Sequence, residues 1–152
     1  PAGPLREPIS RLKTIDLVLV NGNISSKLIS LDKELFTLDV VPTRLVNLGS
    51  GEEREVDALK GVQLTAIAAL GNANRFWATL TQLGYNYRSI EYPDHYSFNE
   101  DDLSFDDEVV LLTEKDAVKV QYLNVNKERI WYLEVEAIVQ EEVMDRVTRM
   151  LV

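Results

Sequence analysis

The chain has 152 residues, 45% of them hydrophobic and 27% charged, enough for one domain with some additional structure around a buried core. A formal net charge of −9 argues against a duplex nucleic-acid surface, and the lack of cysteine excludes a disulfide scaffold or a thiolate metal centre. No apolar run approaches the roughly 20 residues that cross a bilayer, no signal peptide is visible, and a chain opening on Pro1 is expected to be a piece of a longer protein.

Three prolines among residues 1–8 forbid a regular helix or central strand there. The apolar run 15–20 predicts a buried strand that stops at the turn Asn21-Gly22. Runs 27–31 and 35–41 flank Asp32-Lys33-Glu34 and read as a β-hairpin, with Pro42 ending it or marking an edge. Residues 52–59 read as a short helix stopped by Gly61. A strand over 62–70 follows, then the turn Gly71-Asn72 and a helix carrying Phe76, Leu80 and Leu83 that closes at Gly84. Further strands are expected at 87–92, 109–112 and 130–133. Thr113 with Asp116 three residues on resembles a capping box opening a helix through Tyr122, and Val143, Val147 and Met150 lay an apolar stripe on a last helix. Strand and helix alternate from residue 62 onward, so the expected fold is α/β: a mostly parallel sheet with helices on both faces, preceded by the hairpin as a linker.

Ligands of open parallel sheets bind beyond the carboxyl ends of the strands. Here those ends carry Asn21-Gly22, Gly71-Asn72 with Arg75, Pro93-Asp94-His95 and Thr113-Glu114-Lys115-Asp116. His95 is the single histidine. A lone histidine is commonly structural or simply exposed, yet one oriented by a carboxylate can take a proton from a hydroxyl, and Asp94 or a group from elsewhere would supply that carboxylate. Gly71-Asn72 at a helix start suits an anion, and reads equally as a glycine turn with an asparagine N-cap. The acidic stretch 100–108 is most simply solvated, and no metal site is assigned. The chain lacks Gly-x-x-x-x-Gly-Lys-Ser/Thr, so it contains no phosphate cradle of that kind. Taken alone, these residues suit a binding module as well as an enzyme. A metal-dependent hydrolase built on Asp94 and His95 is disfavoured by there being one histidine.

Several blocks carry a resemblance. Pro1-Ala2-Gly3-Pro4-Leu5-Arg6-Glu7-Pro8, residues 66–77 around Gly71-Asn72, Tyr92-Pro93-Asp94-His95-Tyr96-Ser97-Phe98, and Thr113-Glu114-Lys115-Asp116-Ala117-Val118-Lys119 occur in the order found in the tetraacyldisaccharide 4'-kinase family. The chain resembles the carboxyl-terminal half of that family, with Ala73 in place of a usual proline and Tyr96 in place of a usual second histidine. The resemblance implies a two-lobed P-loop-type kinase of lipid A biosynthesis. It would use ATP and Mg2+ to phosphorylate the 4'-hydroxyl of a tetraacylated glucosamine disaccharide, peripherally at the cytoplasmic face of the bacterial inner membrane. The implied layout places 1–22 at the end of the P-loop lobe, 23–50 in an interlobe hairpin and 51–152 in the second lobe. His95 would act with an aspartate of the first lobe, and Asp94, Arg6 and Glu7 would lie near the reacting groups. Asn21, Gly22, Gly71 and Asn72 are the candidate nucleotide contacts. The first lobe would hold most of the ATP and Mg2+ and the membrane-associating segment. The acylated disaccharide is the implied substrate, with no nucleic acid as a partner, and the piece alone is expected to be inactive.

Overall fold

A computed structural model describes residues 7–22, 24, 28, 33–105 and 109–151. The chain forms two compact units, one of residues Pro1–Val41 with Ala137–Val152 and one of Pro42–Glu136. It passes from one to the other twice, each time within a strand.

In the first unit, Pro8 is extended at φ −65° and leads into a 3-10 turn over Ile9–Thr14, closed by the Arg11 N–H on the Pro8 carbonyl. Strand β1 (Val18–Asn21) pairs in parallel with the start of β2 (Leu35–Asn47), from Val18 opposite Leu35 to Asn21 opposite Leu38. Val18 and Phe36 are buried in this unit. Gly22 then turns the chain at φ 95°, a conformation costly for residues with a Cβ. Of the two runs read as a hairpin, 27–31 lies outside the described residues apart from residue 28. The other is the first part of β2, whose partner here is β1. A parallel partner cannot be reached by a tight turn and needs a crossover. Helix α3 (Glu141–Met150) buries Val143, while Met144 and Met150 remain exposed; Arg146 pairs with Glu34 and lies over the Phe36 ring.

Pro42 does not end β2, which continues to Asn47. On one side β2 is paired by β1 as far as Leu38 and by the two-residue strand β3 (Glu53–Arg54) at Leu45 and Val46. Pro42 falls in the gap, a local edge where a missing N–H is tolerated.

In the second unit the sheet runs β3-β2-β7-β6-β4-β5. Strands β4 (Gln63–Ala68), β5 (Asn86–Glu91), β6 (Val109–Thr113) and β7 (Ile130–Val139) are parallel, with β4 between β5 and β6 and with β7 on the far side of β6. Strands buried on both faces read as continuous apolar runs. Leu64, Ala66, Ala68, Leu111 and Trp131 pack on one face with Phe76 and Leu80 of helix α1 (Asn74–Gln82). Ile67, Val110, Leu112 and Ile130 pack on the other with Ala117 and Val120 of helix α2 (Glu114–Val120). The expected parallel sheet with helices on both faces is present.

The helix expected over 52–59 does not form. Glu53 and Arg54 instead pair with Val46 and Leu45, and turns follow, closed by hydrogen bonds from Ala58 to Glu55 and Lys60 to Asp57. Tertiary contacts override the local preference. Arg54 lies 4.6 Å over the Trp131 ring, Arg44 pairs with Glu53 at 2.9 Å, Leu59 is buried, and the Tyr85 hydroxyl donates to the Val56 carbonyl. Nor is Asn72 the N-cap of α1. That helix opens after Ala73, which is buried, right-handed and provides no side-chain cap.

Candidate functional site

Strands β4, β5 and β6 bring their carboxyl ends to one edge of the second unit, and three polar segments meet there. Tyr92, just past β5, donates its N–H to the carbonyl of Ala68, the last residue of β4. Past β6, Thr113 caps α2 by accepting from the Asp116 N–H at 3.2 Å. Asp116 is fully buried, and both oxygens of its carboxylate are paired. Oδ2 accepts from the Ala69 N–H at 2.9 Å and from the Thr113 hydroxyl at 2.8 Å, and Oδ1 pairs with Lys119 Nζ at 2.7 Å. A buried carboxylate requires such partners, because leaving one unpaired costs several kcal/mol, on the order of 3–5. Here they tie the start of the β4–α1 loop to α2. The expected capping box is thus present in one half: the threonine caps, but the aspartate side chain reaches across to the neighbouring loop.

His95 sits in the turn after β5. The Tyr96 N–H donates to the Pro93 carbonyl at 3.1 Å, and His95 has φ 62°. That is the third position of a β-turn, where a positive φ is ordinarily supplied by Gly or Asn. His95 is the one non-glycine residue with positive φ among those described. Its N–H donates to Asp94 Oδ1 at 3.0 Å, and its Nε2 lies 3.5 Å from Asp94 Oδ2, with the imidazole 83% exposed. Lys115, in the first turn of α2, donates to Asp94 Oδ1 at 3.3 Å. That hydrogen bond chiefly holds the Asp94 carboxyl below its ordinary 3.8; partial desolvation opposes it, and the charges of His95 and Lys115 and the His95 N–H support it.

Gly71 belongs to the same cluster. A Cβ placed on it would come 3.3 Å from Asp94 Oδ2, so a bare backbone there lets the β4–α1 loop approach that carboxylate. Asn72 is exposed on the same loop. The structure therefore groups Gly71, Asp94, His95, Lys115 and Asp116 at one edge of the second unit. Asn21, Gly22 and Glu7 belong to the first unit, where Glu7 pairs with Arg11 at 3.2 Å, and Arg6 lies outside the described residues.

Two features escaped the sequence reading. The sequence places Lys115 in a capping segment at a polar strand end but gives it no partner, and in the structure it holds Asp94. Asp102 was assigned to a solvated acidic stretch, yet it accepts from the hydroxyls of Tyr92 at 3.0 Å and Tyr96 at 3.2 Å. It is also half of a reciprocal pair: Asn99 N–H donates to Asp102 Oδ2 at 2.9 Å and Asp102 N–H to Asn99 Oδ1 at 3.3 Å. The spacing Asn99-x-x-Asp102 is that of a capping box and was the available signal. Burial pushes the Tyr92 phenol to about 12, with the Asp102 hydrogen bond adding to the shift. Among the described residues no three carboxylate or imidazole groups converge as a metal site, and no helix is long and apolar enough to cross a membrane.

An open parallel sheet with a polar, histidine-bearing edge defines an α/β protein of the kind that works at its strand ends. The family model for tetraacyldisaccharide-1-P 4'-kinase (LpxK) matches residues 1–152, and the chain belongs to that family. The tetraacyldisaccharide 4'-kinase of Hahella chejuensis is 42% identical over 148 residues, covering 97% of this chain and 42% of the relative. That of Legionella pneumophila strain Lens is 39% identical, covering 90% of this chain and 39% of the relative. The crystal structure of LpxK from Aquifex aeolicus in complex with ATP shares the fold, with a TM-score of 0.67 at 24% identity over 99% of this chain and 46% of that one. The chain thus spans less than half the length of these proteins.

Proposed function

We propose that this chain is the carboxyl-terminal part of an ATP-dependent kinase that phosphorylates the 4'-hydroxyl of a tetraacylated glucosamine disaccharide in lipid A biosynthesis. The observation that carries the reading is the family match over every residue from 1 to 152. Phosphoryl transfer depends on positioning and on charge stabilisation rather than on covalent chemistry by the protein. His95 is the proton acceptor in this reading. Its Nε2 faces the Asp94 carboxylate, which favours the tautomer with the proton on that nitrogen and leaves Nδ1 free to receive the proton of the substrate hydroxyl. The 3.5 Å separation is long for a hydrogen bond, as such contacts often are without substrate. An aspartate from the preceding part of the protein would complete the pair. Arg6 and Glu7 would stand near the reacting groups, and Asn21, Gly22, Gly71 and Asn72 would touch the nucleotide.

Among the described residues no three His, Asp or Glu side chains converge, and none is assigned to Mg2+, an ion that in such reactions is held by one or two carboxylates together with the substrate phosphates. No step is assigned to the ion here. The ATP phosphates have no Gly-x-x-x-x-Gly-Lys-Ser/Thr cradle in this sequence either. Both would be held mainly by the amino-terminal part, which would also meet the cytoplasmic face of the inner membrane. Closing the two parts around substrate would exclude water and limit wasteful hydrolysis of ATP.

The reading is tested by assaying the chain with ATP, Mg2+ and the acylated disaccharide, alone and mixed with the preceding part of the protein. The expected outcome is no phosphorylated product from the chain alone and product from the mixture. Turnover by the chain alone would place the whole site within residues 1–152 and overturn the divided-site reading.

A further inference from the structure

We infer that Asp102 is a positioning residue for His95, acting through Tyr92 and Tyr96; the inference rests on the reading of His95 as proton acceptor. His95 occupies a backbone conformation that persists only where the surroundings over-determine it. The tripeptide Pro93-Asp94-His95 is flanked by Tyr92 and Tyr96, and their rings stack on each other with centroids 4.3 Å apart and planes 22° apart. The stack closes the base of the turn, so the ends of the tripeptide cannot separate while it holds. Both rings stand nearly perpendicular to buried Phe98 at 5.4 Å, and Lys119 Nζ lies over the Phe98 ring at 5.5 Å.

Stacking alone leaves two phenols free to slide. Asp102 removes that freedom, since its one carboxylate receives both hydroxyls, the Tyr92 OH on Oδ1 and the Tyr96 OH chiefly on Oδ2. The carboxylate is itself fixed by the Asn99 N–H on Oδ2. Tyr92 is further anchored to the end of β4 through the Ala68 carbonyl. The turn bearing His95 is thus held at its base by Asp102 and on its flank by Lys115 through Asp94. Without the Asp102 grip the stack can open, the Pro93–Tyr96 hydrogen bond breaks, and His95 relaxes to negative φ, swinging the imidazole off Asp94.

The test uses Asp102→Ala and Asp102→Asn in the full-length kinase, with His95→Ala beside them. Two quantities are read: hydrogen exchange of the peptide spanning residues 92–98, and kcat with the KM for ATP. Asp102→Ala is expected to speed exchange of the Tyr96 and His95 amides. It should lower kcat by about tenfold to a hundredfold, the range that small misplacements of a reacting group produce, with the KM for ATP unchanged. Asp102→Asn keeps one acceptor oxygen for the three donors and should show a smaller defect in both. Tyr92→Phe with Tyr96→Phe removes the same two hydrogen bonds while preserving the stack, and should reproduce the defect if Asp102→Ala folds poorly. If His95→Ala is deficient while Asp102→Ala and the double phenylalanine variant both retain normal kcat, the positioning role is overturned. If His95→Ala itself retains normal kcat, the reading of His95 fails, whatever Asp102 does.

Discussion

At the scale of single residues, the site is organised by carboxylates that do different work. Asp116 is buried with both oxygens paired, and its partners tie the β4–α1 loop to α2. Asp94 is exposed to solvent and holds His95 on one side and Lys115 on the other. Its folded pKa lies below the ordinary 3.8, so its pairing stabilises the fold above that value and is lost as pH falls through the lower folded value. Lys115→Met removes the first cause of the depression. The Asp94 carboxyl should then titrate at a higher pH, closer to 3.8, which a carbon-detected NMR titration reads directly. An unmoved titration would mean that Lys115 does not hold Asp94 in solution. Tyr92 has the opposite sign. Its phenol is raised from 10 to about 12, so the neutral hydroxyl's contact with Asp102 is intact below 10 and is lost only as pH rises through the folded value. The grip on the His95 turn is accordingly present throughout the neutral range.

At the scale of elements, Thr113 joins strand β6 to helix α2. Its hydroxyl oxygen accepts from the Asp116 N–H while its proton goes to the Asp116 carboxylate. Thr113→Ala loses both and leaves a buried carboxylate short of one donor. The expected cost is about 1–3 kcal/mol, a cap plus a hydrogen bond to a charged group, whereas Thr113→Ser should recover most of it. Urea unfolding of the three proteins checks this, and an unchanged midpoint in the alanine variant would contradict the reading of the cap. The apolar strands were legible in the sequence because continuous burial leaves continuous apolar runs, as in 109–112, and the two flanking helices through their spacing and caps. The polar strand ends were legible for the same reason, as breaks in those runs. Residues 52–59 were misread because a two-residue strand held by Arg44, Leu45 and Trp131 has no local signature. Lys115 and Asp102 escaped because their roles depend on what stands opposite them, the carboxylate of Asp94 and the hydroxyls of Tyr92 and Tyr96. The His95 conformation escaped as well, since histidine gives no sequence signal for a positive φ.

At the scale of the whole molecule, the chain is two compact units connected through strands β2 and β7, at Val41–Pro42 and Glu136–Ala137. It matches its family from first residue to last but covers only 42% of the Hahella relative. In the proposed reaction the chain would contribute one side of the site, and His95 would stand at its centre. The most direct test measures kcat for the proposed reaction and melting temperature on one preparation of His95→Ala in the full-length protein. A general base typically contributes about 10²- to 10⁴-fold, so kcat should fall by at least about a hundredfold. The KM for ATP should be little changed, because the group acts in the transition state. The melting temperature should change little, since alanine removes an exposed ring and introduces no buried defect. A near-normal kcat per folded molecule with a lowered melting temperature would make His95 a structural residue and contradict the account.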